Sequence, residues 1–278
     1  MMEISAVMLW WGILWLVAII NLVLWFYTFQ MLKERLPTMA TLLQYTRNWQ
    51  WRLAFLYTVG CGSRGMVPRG DLRRIVMIDC WFSSIVVGRT IATIAELSFV
   101  AQWCFLLYEA GKATGHKTIL LLAKLPFPII VVAEICSWYA CTTSNYIGTT
   151  IEESLWTVAA VLTTYGLYLA RPYYEGAQKT FLTRGMIAGL MYIVYMVLVD
   201  VPAYVSGWMT DQANGKVYKT IGEGLTEIST QWHVTYAYAD WRYEMVWMSL
   251  YFSVCVWGSI YLINAPALDQ NLKEQPAI

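Results

Sequence analysis

Arg89 and Glu96 stand seven residues apart in an apolar run, with Thr93 between them, so a helix places all three on one face. Further along, Glu134, Ser137, Trp138, Cys141 and Asn145 recur at helical spacing, and Glu152 and Glu153 follow at the start of the next apolar segment. Asp200 lies late in another run, on one face with Tyr192. The last run opens with Asp240, Arg242 and Glu244, and its inner face reads Glu244, Trp247, Tyr251, Cys255 and Gly258. An ionisable side chain in a spanning segment costs about 2.5–3.5 kcal/mol on insertion scales, so such residues face the protein interior and mark functional sites. In the apolar segments the acids Asp79, Glu96, Glu134 and Asp200 outnumber the bases Arg89 and Lys124. Side chains of opposite sign therefore do not pair all of them, and a polar cavity lined by carboxylates, Trp and Tyr is expected.

Desolvated carboxyl groups serve as acids near neutral pH, and aromatic faces stabilise cations. The expected chemistry is acid–base work on a lipophilic small molecule, an isoprenoid or a lipid. Glu134 or Glu96 would be the acid, Arg89 the orienting group and Asp200 a further carboxylate. Trp138, Asn145, Glu152, Glu153, Tyr192, Glu244, Trp247 and Tyr251 would line the substrate site. Two other readings stand beside the enzyme: a proton- or ion-coupled transporter, which uses the same intramembrane acids, and a structural subunit of a membrane complex.

The elements that carry these residues are membrane helices. Of 278 residues, 58% are hydrophobic and only 13% charged, against about 25% charged in soluble domains. Mean hydropathy is +0.48. The net charge of +1 gives no field for nucleic acid. Only two histidines occur, His116 and His233, which excludes di-iron desaturases, b-type haem carriers and HExxH proteases. No metal site is expected, and no residue pattern points to a particular cofactor. The six cysteines form no CxxC and read as free thiols. Lys124 lies near one end of its run and reads as a snorkelling residue; the absence of lysine from the last run argues against a retinal protein.

The chain therefore reads as all-α, one polytopic bundle of six to seven spans, an integral membrane protein in contact with lipid. Spans are expected near 4–32, 75–110, 118–143, 153–170, 185–208 and 243–265, with 39–60 an interfacial helix or a seventh span. The run 75–110 is too long for one span and reads as a projecting helix or one broken near Ser83, Ser84 and Gly88. Pro126 and Pro128 kink the following span. GCGSRGMVPRGD (60–71) reads as a loop, and Gly185-x-x-x-Gly189 as a close-packing pair. Lys33, Arg35, Arg47, Arg52, Arg64, Arg69, Arg73 and Arg74, taken as one basic stretch, put that stretch in the cytoplasm and the N-terminus outside.

Overall fold

Long apolar stretches without internal Pro or Gly breaks become helices, and helices dominate the computed structural model, which describes residues 2–269. Eight helices are present among the described residues. They are α1 (Met2–Arg35), α2 (Thr41–Met66), α3 (Ile85–Thr114), α4 (Lys117–Thr143), α5 (Tyr146–Ala170), α6 (Gly176–Ala213), α7 (Ile221–Thr230) and α8 (Tyr238–Ile263). Five of them, α1, α3, α4, α6 and α8, are long and apolar enough to cross a membrane. Many large apolar side chains point outward, among them Leu9, Ile135, Met191 and Leu198, as a lipid-facing surface requires.

Neighbouring long helices run antiparallel. Trp11 Nε1 donates to Met66 O and Trp25 Nε1 to Trp51 O, both at 3.0 Å, which pairs α1 with α2. Gln50 and Gln102 bond each other's backbone while Gly60 packs on Ala95, which pairs α2 with α3. Gly148 lies against Ala140 and the Cys136 carbonyl, so α5 folds back on α4. Gly185 meets Leu167 and Gly207 meets Tyr146, so α6 folds back on α5. Along α8, Ser249 accepts from Trp10 at 3.0 Å and the Phe252 carbonyl accepts from Asn21 at 2.7 Å, which sets α8 parallel to α1. We term the end where α1 begins the upper end.

Several sequence expectations are corrected. The helix expected at 39–60 belongs to a longer one: α2 continues to Met66 and packs lengthwise between α1 and α3. Two of its three arginines are neutralised within the bundle, Arg47 by Glu109 at 3.0 Å and Arg64 by Asp71 at 2.8 Å, while Arg52 is exposed and lies over the Trp49 and Trp51 rings. Half of the expected loop 60–71 is therefore helix. The run 75–110 is broken where Ser83 and Ser84 suggest: Ile75–Val76 is a strand, a single 3-10 turn covers Trp81–Ser83, and α3 starts at Ile85. Asp79 is thereby an exposed residue outside the spans, accepting from Trp232 Nε1 at 2.8 Å. The helix expected at 153–170 starts earlier, at Tyr146, with Asn145 as its N-cap: Ile147 N donates to Asn145 Oδ1 at 3.0 Å. The span at 185–208 is longer at both ends, and α7 occupies part of the expected 209–240 loop. In the fourth helix Ala123–Leu125 interrupts the hydrogen bonding before Pro126, consistent with a proline break.

The upper end is capped by a small three-stranded sheet. β1 (Arg69–Gly70) pairs antiparallel with β2 (Ile75–Val76), and β2 pairs parallel with β3 (His233–Val234). The eight basic residues taken as one stretch are thus divided: Lys33 and Arg35 lie at the lower end, and Arg64, Arg69, Arg73 and Arg74 at the upper.

Candidate functional site

The helices bring Arg89, Glu96, Glu134 and Glu152 together from α3, α4 and α5. Arg89 Nη2 lies 2.8 Å from Glu134 Oε2 and 3.1 Å from Glu96 Oε1, and Nη1 lies 3.6 Å from Glu152 Oε1. Two turns of α3 separate Arg89 from Glu96, so α3 supplies both the cation and its first partner. Close packing of α5 on α4 at Gly148 carries Glu152 in: a Cβ there would fall 2.6 Å from the Cys136 carbonyl oxygen. Thr93 Oγ1 donates to Glu134 Oε2 at 2.6 Å, and Trp138 Nε1 donates to Thr93 Oγ1 at 3.1 Å. These bonds fix the Glu134 rotamer. Its second oxygen, Oε1, is buried with no hydrogen-bond donor.

Each carboxylate offers one oxygen, and the three lie within 4.8 Å of one another. That spacing is one at which a hard cation is held, but here the Arg89 guanidinium contacts all three carboxylates. The set is an ion cluster with three acids to one base. Arg89 is 5% exposed, Glu134 3% and Glu152 5%. The expected polar cavity is therefore not open at this cluster; protein atoms enclose the groups. An open groove lies instead on the flank of α6, lined by Val201, Pro202, Val205, Ser206, Met209 and Thr210.

The remaining candidates fall into other surroundings. Trp138 touches the cluster through Thr93. Glu153 is one residue from Glu152 on α5 and faces α6, where Tyr195 donates to Asp200 Oδ1 at 3.1 Å at the end of a wide π turn, Met196–Asp200. Tyr192 is half-buried on the same helix. Glu244 sits at the upper end, accepting from Arg73 at 3.0 Å and from Trp247 Nε1 at 2.7 Å. Tyr251 packs edge-on against Tyr57. Asn145 caps α5 through its side-chain oxygen. The inner face expected for the last helix is thus divided between the upper cap and the α2–α8 interface.

Sequence reasoning missed a second charged group directly above the cluster. Asp71 bridges Arg64 (2.8 Å) and Arg69 (3.4 Å), and Arg64 stacks 5.3 Å over the Trp247 ring. Arg69 also donates to Phe82 O at 3.0 Å and lies flat on α3 at Gly88, where a Cβ would sit 1.6 Å from the guanidinium carbon. Burial pulls the Arg69 guanidinium down to about 10, with the Asp71 carboxylate pulling the other way. The signal was present as R-x-x-x-x-R-x-D across 64–71, but reading these residues as a solvated loop concealed it. Further out, Glu227 accepts from both Arg74 and Lys219, and Arg74 reaches Thr142 O at 3.2 Å, which pins α7 to the end of α4.

At the lower end the polar contacts are structural. Gln102 and Ser259 close a buried hydrogen-bonded layer with Gln50. Glu109 binds Arg47 and accepts from Leu268 N at 3.0 Å, and Arg47 also donates to Ala265 O and Pro266 O. Comparison with family models, with curated proteins and with solved structures finds no match to this chain.

Proposed function

We propose that the chain is an integral membrane protein of seven spanning helices whose Arg89–Glu96–Glu134–Glu152 cluster carries out acid–base chemistry on a lipophilic substrate drawn from the bilayer. The observation that carries this reading is the surplus of acid in the cluster: three buried carboxylates share one guanidinium. A low-dielectric interior does not hold such a surplus fully ionised, so the cluster keeps an exchangeable proton. Glu134 is the carboxylate of the set, since its Oε2 accepts from Arg89 and Thr93, and its unpartnered Oε1 is the atom placed to take that proton up and pass it on.

The directions of the helices support seven spans. α1, α2, α3, α4, α5, α6 and α8 alternate along one axis, and α2 and α5, although less apolar than the others, run the same length inside the bundle. Orientation follows from the short lower-end turns, which are flanked by Lys33, Arg35, Lys112, Lys117, Arg171 and Lys179. At the upper end Arg64, Arg69 and Arg74 are tied to Asp71 and Glu227. The lower end is cytoplasmic by this bias and the N-terminus is outside.

Chemistry at one face is favoured over passage across the membrane by what lies beneath the cluster. Between Glu96 and Glu109 on α3 no ionisable side chain other than the Cys104 thiol and Tyr108 occurs, and the Gln50–Gln102–Ser259 layer is neutral and hydrogen-bonded. The test is lipid mass spectrometry of membranes from cells expressing the wild type or E134Q. The wild type is expected to change the profile of a lipid or isoprenoid species, and E134Q to leave it unchanged while eluting as a folded protein. Identical profiles for wild type and empty membranes, together with a pH-dependent ion flux in reconstituted vesicles, would refute this reading in favour of transport.

A further inference from the structure

The contact between α5 and α6 contains a second set of acids that the cluster does not use. Three close approaches fix the register of this helix pair: Gly207 on Tyr146, Gly189 on Thr164 and Gly185 on Leu167. The two residue numbers add to the same total in each pair, give or take a residue, as they must for antiparallel helices with equal rise. The same rule sets Glu153 opposite Asp200. The heptad spacing Tyr146, Glu153, Ala160, Leu167 along α5 places Glu153 on the stripe facing α6. Two carboxyl groups therefore stand level with each other on facing helices, close enough to act on each other through space, and among the described residues neither forms an ion pair with a base.

The groups around them are mostly acids and phenols. From α6 come Tyr192, Tyr195 and Tyr204, of which Tyr195 donates to Asp200. From α5, Glu152 acts on Glu153 through space, as do Glu96 and Arg89 of α3. From α8, Glu244 acts on Asp200. Arg89 is the one cation in this set, and it is engaged by three carboxylates of its own.

Beyond α5, α6 is anchored mainly at its lower end, where Phe181 stacks on Tyr261 and Gln178 donates to Ala267 O, and at Met196, which is buried in the core. Its most apolar 18-residue window is only 6% buried inside the protein, and its long contacts are with α5. The glycines at 185, 189 and 207 allow the backbones to approach closely, which brings the two carboxyl groups into a water-poor seam.

We propose that Glu153 and Asp200 share a proton that latches α6 onto α5, and that loss of this proton opens the α5–α6 seam sideways to the lipid. With one proton in the pair, a carboxyl donates to a carboxylate and the helices close. With none, two like charges face each other in low dielectric and repel. The latch is therefore closed from acid to neutral pH and is released as pH rises. The π turn ending at Asp200 is the device that presents this carboxyl to α5 instead of to the bilayer.

The experiment uses the full chain in lipid nanodiscs, with spin labels attached through a noncanonical amino acid at the lipid-facing positions 161 and 190 and the six native cysteines left in place. Wild type is expected to give one short α5–α6 distance at and below neutral pH and to lose that population as pH is raised. E153Q, which keeps the Tyr195–Asp200 bond, and E153Q/D200N are expected to keep the short distance across the whole range. Should the double variant fail to fold, E153Q alone decides. A wild-type distance that stays short to the alkaline limit, or a variant that opens along the wild-type profile, overturns the proposal.

Discussion

Replacing Arg89 and replacing one of its partners should have very unequal costs. At an effective dielectric of about 20, opposite charges near 4 Å gain roughly 4 kcal/mol, and like charges 4.8 Å apart or closer lose at least about 3.5 kcal/mol. With all three glutamates ionised, three attractions to Arg89 are nearly cancelled by three mutual repulsions. The desolvation of four ions, several kcal/mol each, is left largely uncompensated. With one glutamate ionised, a full attraction remains and no repulsion opposes it. The second and third negative charges therefore add little, and E152Q, which keeps shape and hydrogen bonding, should stay within about 1 kcal/mol of wild type. R89M removes the only cation and strands the remaining charge, which costs about 3–5 kcal/mol. In a chain of this size that is a drop in Tm on the order of 10 °C. Thermal unfolding in one detergent, followed by circular dichroism, measures both variants. R89M combined with E96Q, E134Q and E152Q should recover most of the loss, since no buried charge is left. If E152Q and E134Q each prove as damaging as R89M, the cluster is charge-balanced and the argument for an exchangeable proton fails.

Other substitutions test the surrounding architecture. G88A drives a methyl group into the Arg69 guanidinium and should destabilise by at least about 1–3 kcal/mol, part of which R69A restores in the same background, as read from Tm. D71N leaves Arg64 and Arg69 buried with no shared carboxylate, and a loss of about 3–5 kcal/mol is expected by the same measurement. T220A removes the reciprocal cap of α7, in which Thr220 and Glu223 bond each other's backbone, and should cost about 1 kcal/mol of local stability, visible as faster hydrogen exchange in 221–230. Glu223 is held below its ordinary value by the Thr220 donors, so the cap is complete above the unfolded-state value and is lost as pH falls through the folded one. E109Q weakens the bonds that hold Leu268 and Arg47, and limited proteolysis should then cut after Asn264 sooner than in wild type.

Helices were legible in the sequence because long apolar runs have no other use, and the Arg89–Glu96–Glu134 association was legible because helical spacing and the cost of buried charge both point inward. The errors have one physical origin. Arg47 and Arg52 made residues 39–60 look too polar to enter the bundle, and Arg64 helped the next stretch read as loop, because a sequence shows charges before it shows their partners. Glu109 is 62 residues from Arg47 and belongs to another helix. Asp71 lies only seven residues from Arg64, but in a stretch rich in Gly and Pro that reads as loop. The start of α5 was hidden similarly: SNYIGTTIEES has the composition of a turn, and only the packing of Gly148 on α4 makes it helix. Which side of α5 Glu152 and Glu153 occupy was not legible at all, since adjacent residues diverge by about 100° and the choice depends on where α4 and α6 sit.

The neutral layer beneath the cluster offers the clearest separation of stability from chemistry. Gln102 donates to Gln50 O at 3.1 Å and Ser259 O at 3.2 Å and accepts from Ser259 Oγ at 2.5 Å, so one amide closes three helices together. Gln102→Leu fills the volume but strands the Ser259 hydroxyl and removes the second hydrogen bond to two helix carbonyls, a cost of about 1–3 kcal/mol. If the cluster works from the upper face alone, this layer is only a seal: Q102L should lower Tm by several degrees yet leave any product seen in the wild-type lipid profile at the same level per folded molecule. If instead the layer forms part of a path through the bundle, Q102L should abolish activity out of proportion to its loss of stability, in parallel with E134Q. The two outcomes separate a one-sided acid–base site from a transmembrane route whichever lipophilic molecule is the substrate.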